Sequence, residues 1–232
     1  MKRPSLVDHP ALLPLMPLLQ SSSSKGLTAI LSGEREFCGT AEEVYAGNVA
    51  ERVSELDNAL ESLRLSLNYI MDLATGPEPS PAQYRYHYEN FLFRAVGLVD
   101  RAHRFVGASL LLDAEKYDSN SGNKYVITKV RETQPEVAAA LDNVVTCASK
   151  HKAVRNELIH STAFSSRELG LFGAFEKLSL PTPEGIDLQG LMREHFSFSA
   201  GDIAVFIAEA EGLLQVLIET LKPVYARVRA DA

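Results

Sequence analysis

From Thr40 to Thr75 the apolar residues Val44, Val49, Val53, Leu56, Leu60, Leu63, Leu67, Ile70 and Leu73 recur at steps of three to five. Only an α-helix gathers such positions on one face, because successive residues turn by about 100° around its axis. A half-buried strand would need strict alternation. Both ends of the stretch are marked. T-A-E-E at Thr40–Glu43 places a glutamate three residues after a threonine, the signature of a capping box. Gly76 and the Pro77–Pro81 segment stop the helix. A helix this long must lay its stripe against other long helices.

The rest of the chain supplies them. A second helix is expected from about Pro81 to Asp113, with Phe91, Val96, Leu98, Val99, Ala102, Phe105, Val106 and Leu110 on its apolar side. Tyr117–Lys124 (Y-D-S-N-S-G-N-K) reads as a turn, and Tyr125–Glu132 as a short helix. Pro135, at a first-turn position, opens a helix through Val137, Leu141, Val144, Val145, Ala148 and Val154 toward Leu158. The pattern leaves open whether it breaks near Ser149. Leu178–Gly185 reads as a proline-rich loop with room for a hairpin. Ser199 with Asp202 reads as the cap of a last helix running to Leu221. No six-residue alternating strand and no repeat is found. The expectation is an all-α fold, an up-and-down bundle of long helices over residues 41–232. Residues 1–40 are expected to form an irregular arm, because Pro4, Pro10, Pro14 and Pro17 precede the Ser21–Ser24 run.

Composition removes several function classes. The chain has 232 residues, 46% of them hydrophobic and 23% charged, with a net charge of -7. That balance suits a soluble, cytoplasmic protein, and any nucleic-acid site must be a local basic patch on an acidic body. Cys38 and Cys147 set no disulfide framework. The prolines of Met1–Gln20 do not fit a secretory signal. The most apolar run, Ile203–Leu221, carries Glu209, Glu211 and Glu219, so no membrane association is expected.

Chemistry concentrates in Lys150–Ser161, K-H-K-A-V-R-N-E-L-I-H-S. Asn156 and His160 lie one helical turn apart, about 40° from each other around the axis. Arg155 is offset by about 140° from His160, yet its long stem can bring the guanidinium into the same space. An imidazole moves a proton near neutral pH, and a guanidinium holds a phosphate oxygen and its developing charge. Lys150, His151 and Lys152, one turn earlier, raise the local positive potential for RNA. On the opposite side Val154 and Leu158 are expected to be buried. These are the parts that phosphodiester cleavage uses; arginine and histidine at this spacing also occur as ordinary surface residues.

The segment R-N-E-L-I-H, Arg155 to His160, resembles the arginine–polar–three–histidine signature of the HEPN superfamily. These are all-helical nucleotide- and RNA-binding domains found in toxin–antitoxin and antiviral systems. The helical pattern of residues 42–222 and the stretch Y-H-Y-E-N-F-L-F-R, Tyr86–Arg94, are similar to such domains as well. The resemblance implies an endoribonuclease that needs no metal or other cofactor. In it the RNA 2′-hydroxyl attacks the adjacent phosphate, with His160 as general acid or base, Arg155 on the phosphate and Asn156 positioning either. It also implies a homodimer in which two motifs line one cleft, and it allows an antitoxin or regulatory protein as partner. Thr162 stands where a toxin subgroup carries a nucleotidylated tyrosine, so that mode of control is not expected. The alternative is a non-catalytic HEPN-like module that binds a nucleotide or a protein.

Glu89 and Asp100, eleven apart on the second helix, are candidate partners that would orient Arg155. Each is otherwise a solvated or ion-paired face residue. Arg94, Arg101 and Arg104 either extend a basic groove or form surface ion pairs. Tyr84, Tyr86 and Tyr88 either stack on bases or pack at the helix start. Cys147 and His151 have metal-compatible spacing, but no second pair accompanies them. No phosphate-cradling glycine loop, nucleophile elbow or H-E-x-x-H motif is present.

Overall fold

The computed structural model describes residues 5–34, 38–160 and 163–228, the side chain of His160 excepted. Every regular element among them is helical. Two 3-10 turns, Leu6–Asp8 and Pro10–Leu15, lead into α1 (Met16–Ser32), α2 (Ala41–Thr75) and α3 (Pro81–Ser109). There follow α4 (Ala114–Tyr117), α5 (Gly122–Thr133), α6 (Pro135–His160), α7 (Arg167–Leu178), α8 (Leu188–Thr220) and α9 (Lys222–Val228). The fold is all-α, as expected.

The capping box at the head of α2 forms reciprocally. The Glu43 amide donates to Thr40 Oγ1 at 3.3 Å, and the Thr40 amide donates to Glu43 Oε2 at 2.9 Å. α6 runs through Ser149 without a break. Three expectations need correction. Among the described residues the arm is not irregular but mostly helical from Leu6 to Ser32. Pro10 and Pro17 sit in first turns, where no intrahelical N–H is missed. The serine run is helical, and Ser24, Thr28 and Ser32 return their hydroxyls to the carbonyls of Gln20, Ser24 and Thr28, at 2.8, 2.9 and 3.0 Å, which satisfies them within the helix. Gly33, at φ 75°, ends α1 in the left-handed conformation. Secondly, no hairpin forms between α7 and α8. Thirdly, α8 begins eleven residues before Ser199. Asp187 is its start, with Oδ1 accepting from the Gly190 amide at 2.9 Å, while Ser199 lies in the helix interior.

The chain divides into two compact units. The first comprises Met1–Asn58, Leu98–Val145 and Glu211–Ala232. Leu56, Phe105, Leu141, Leu217 and Tyr225 are at the centre of its core, all fully buried. A polar chain crosses that core: Tyr45 Oη donates to the Ser109 carbonyl at 2.9 Å, and the Ser109 and Tyr225 hydroxyls share a bond of 2.9 Å. Two acids of α2 hold the N-terminal segment. Glu43, 4% exposed, receives Ser21 Oγ at 2.6 Å and Lys25 Nζ at 2.7 Å. Those bonds, Lys25 first, then Ser21 and the Thr40 amide, lower its pKa to about 2. Asp57 receives the Ser5 hydroxyl and the amides of Leu6 and Val7, the latter two at 2.8 and 3.1 Å.

The second unit comprises Ala59–Gly97 and Thr146–Ala210. Tyr84, Phe91, Leu92, Phe196 and Phe206 fill its core. Tyr84 stacks on Phe196 with centroids 4.4 Å apart and its hydroxyl donates to Ser199 Oγ at 2.7 Å. Arg193 of α8 closes the end of α2, its Nε on the Gly76 carbonyl at 3.0 Å and Nη2 on that of Pro77 at 2.8 Å.

Candidate functional site

α6 changes character along its length. From Val137 to Ala148 it buries Val137, Ala138, Ala140, Leu141, Val144, Cys147 and Ala148. From Ser149 to Ile159 none of its residues is buried. Val154 and Leu158, expected to be buried, are only half-buried, and Ile159 is 50% exposed. The apolar period runs on past Ala148 along a stretch that its neighbours cover only in part. The motif therefore occupies a helical end whose apolar and polar residues alike remain reachable.

On that end Arg155 Nη1 donates to Asn156 Oδ1 at 3.0 Å, so the guanidinium swings over the amide of its neighbour. The amide nitrogen and the rest of the guanidinium keep donors to offer. His160 is the last residue of α6, and its side chain, like Ser161 and Thr162, lies outside the described residues. Lys152 is exposed.

One turn earlier the side chains meet a cavity of about 210 Å³ within the second unit. It is lined by Tyr88 and Phe91 of α3, Lys150 and His151 of α6, and Ser199, Asp202 and Ile203 of α8. His151 packs edge-on against Phe91 and Phe206, with centroids 5.0 and 4.8 Å away. Burial, with the Lys150 charge adding to it and Asp202 opposing, lowers the imidazole pKa to about 4. Its Nε2 is buried without a hydrogen-bond partner. Lys150 Nζ stands 5.9 Å above the Phe206 ring.

The supporting acids have other duties. Glu89 accepts the Phe164 amide at 2.7 Å, and Tyr88 packs on the Phe164 ring at 4.5 Å. Glu89 thus anchors the segment that follows the motif rather than the Arg155 guanidinium. Asp100 belongs to the first unit, where it accepts from Asn123 Nδ2 at 2.6 Å. Eleven residues amount to about 16 Å along a helix, so a shared face is not a shared site. Arg104 pairs with Asp118 at 3.2 Å. Tyr84 is core, whereas Tyr86 is 63% exposed and stands edge-on to His87. The Cys147 thiol interacts with Glu209 rather than His151, and burial raises its pKa to about 11. Among the described residues no group of three or more histidines, cysteines and acids is placed to hold a metal. No helix among them is long and apolar enough to cross a membrane.

Sequence reading missed Asp202 and Ser199 as neighbours of Lys150 and His151, having spent both on a helix cap. The available signal was Met192, Phe196 and Ala200, apolar at steps of four, whose buried stripe carries α8 upstream through Ser199 and Asp202.

A bundle of long helices with an R-N-x-x-x-H motif at the bare end of one of them defines a class of protein. A family model described as Cthe2314-like HEPN matches residues 40–228. The chain belongs to that HEPN family. No curated protein and no solved structure gives a significant match.

Proposed function

We propose that the protein is a metal-independent HEPN endoribonuclease of the kind found in toxin and antiviral systems. Residues 41–232 form its domain, and it works as a homodimer that brings two copies of the α6 end to one cleft. The observation that carries the reading is the Arg155–Asn156 pair, bonded to each other on a helical end where no residue from Ser149 to Ile159 is fully buried. A cation and an amide fixed together in this way suit a phosphate whose charge grows during reaction. In this reading Arg155 holds a non-bridging oxygen and Asn156 positions it. His160 moves the proton, off the attacking 2′-hydroxyl or onto the leaving 5′-oxygen. The 2′-oxygen–phosphorus bond forms as the phosphorus–5′-oxygen bond breaks, leaving a cyclic phosphate. Lys150 and Lys152 attract the RNA backbone. The exposed Ile159 and half-buried Leu158 supply apolar area for the second copy.

The test is cleavage of a mixed-sequence RNA in the presence of EDTA. Wild-type protein is expected to cut, and Arg155→Ala and His160→Ala are each expected to lose at least about a hundredfold of the rate, in line with general acid–base and oxyanion contributions. Activity that requires added metal, or that survives both changes, ends the proposal. The net charge of -7 favours a second reading, a non-catalytic module for a nucleotide or protein partner. It predicts no cleavage by wild type together with saturable binding that Arg155→Ala weakens.

A further inference from the structure

Of the residues lining the cavity beside His151, Lys150 alone has a role above, a general attraction for RNA, although the cavity lies one turn from Arg155 on the same helix. Its surfaces are of two kinds. Tyr88, Phe91 and Ile203 are apolar, and the first two are rings. The polar side chains are the Asp202 carboxylate, the Lys150 ammonium, the Ser199 hydroxyl and the His151 imidazole. The opposite charges of Asp202 and Lys150 leave the site with no net sign, so it suits a neutral ligand rather than an ion. Its volume of about 210 Å³ falls below the roughly 300–1,000 Å³ of pockets for drug-sized ligands. A flat neutral group with donors on one edge and acceptors on another, small enough for that space, is a nucleobase. Its phosphate then stays outside, toward Arg155.

The polar edges choose among bases. A carboxylate offers two acceptor oxygens and no donor. Guanine alone of the four RNA bases sets two N–H donors side by side, N1–H and N2–H. Adenine and cytosine place a ring lone pair beside their amino group, and uracil flanks its single N–H with carbonyls. On its other edge guanine carries the O6 and N7 acceptors that lysine and arginine favour. Ser199 fits the same requirement. Its hydroxyl proton goes to the His195 carbonyl at 3.2 Å and it accepts from Tyr84 at 2.7 Å, so it faces the cavity as an acceptor.

We infer that this cavity is a base subsite that reads guanine, with Asp202 accepting N1–H and N2–H, Lys150 donating to O6 or N7, and the His151 ring forming part of the lining. The inference rests on the ribonuclease reading and names its substrate preference, cleavage next to a guanosine. RNA recognition commonly works on a base splayed out of the strand, held on a ring and read along its edges.

The experiment is fluorescence anisotropy with two labelled 2′-O-methyl RNA hexamers, uridine at five positions and guanosine or adenosine at the third. Methylation removes the attacking hydroxyl, so neither hexamer can be cut and binding is read apart from cleavage. Wild type is expected to bind the guanosine hexamer at least about tenfold more tightly, near the low end for a bidentate base contact. Asp202→Asn, a change at an exposed position, is expected to bring the ratio below about twofold. Arg155→Ala is expected to weaken both hexamers and keep the ratio. Equal binding by wild type, no binding of either hexamer, or a preference that survives Asp202→Asn overturns the subsite. Cleavage without guanosine preference removes the subsite alone; guanosine-selective binding without any cleavage removes the ribonuclease reading alone.

Discussion

His151 is the residue where packing and charge oppose each other most directly. Its ring is held edge-on by Phe91 and Phe206, and burial lowers its pKa to about 4, against an ordinary value of 6.5. Between those two pH values the unfolded chain binds a proton that the folded chain refuses. Stability therefore rises with pH across that window, is complete above pH 6.5 and is lost as pH falls toward 4. Replacing His151 with Phe keeps a ring between the two phenylalanines and removes the titration. Thermal melts of wild type and His151→Phe from pH 7 to pH 4 are expected to show a shallower decline for the variant. Parallel declines would mean that the loss belongs to other groups. At this scale the sequence was informative about residue types and poor about partners. Arg155 and Asn156 are found bonded to each other, whereas Glu89, expected near the guanidinium, serves the Phe164 backbone. Spacing along one helix says nothing about what a loop from elsewhere in the chain brings to it.

At the scale of elements, periodicity located the long helices, and the errors fell at their ends. The Thr40–Glu43 box was legible because both of its members lie in a four-residue window. The start of α8 was not, because Ser199 and Asp202 imitate a cap inside a helix that Asp187 had already begun. The turn between α4 and α5 shows the same difference of scale. Its glycine is visible in the sequence, but the reason for it is not. A Cβ on Gly122 would stand 2.0 Å from the Tyr117 carbonyl oxygen and 2.7 Å from its carbon, and backbone cannot yield as a side-chain tip can. Gly122→Ala is therefore expected to destabilise by about 2 kcal/mol or more, an overpacking cost that outweighs the helix propensity alanine adds. Gly212→Ala in α8, with nothing within 4 Å of its Cβ, is the matched comparison and is expected to stabilise by up to about 1 kcal/mol. Urea denaturation of the two variants separates the outcomes; equal effects would contradict the close approach at Tyr117.

For the whole molecule, the family match begins at residue 40, while the chain's own contacts begin earlier. α1 and the turns before it were illegible as structure because proline and serine weigh against helix locally, and their compensation comes from two acids far along the chain. Those acids have a practical consequence for anyone who trims the protein to its family boundary. A chain starting at residue 40 keeps the helix of Glu43 and Asp57 but strips Ser21 and Lys25 from one carboxylate and Ser5, Leu6 and Val7 from the other. It also uncovers the core surface that Leu6, Leu12 and Leu15 sealed. The shortened protein is expected to melt at lower temperature and to bind a hydrophobic dye, and a melt indistinguishable from full length would show the leader to be dispensable. Where homology stops and where folding stops are different addresses in this chain, and the residues before Thr40 are cargo only on the first map.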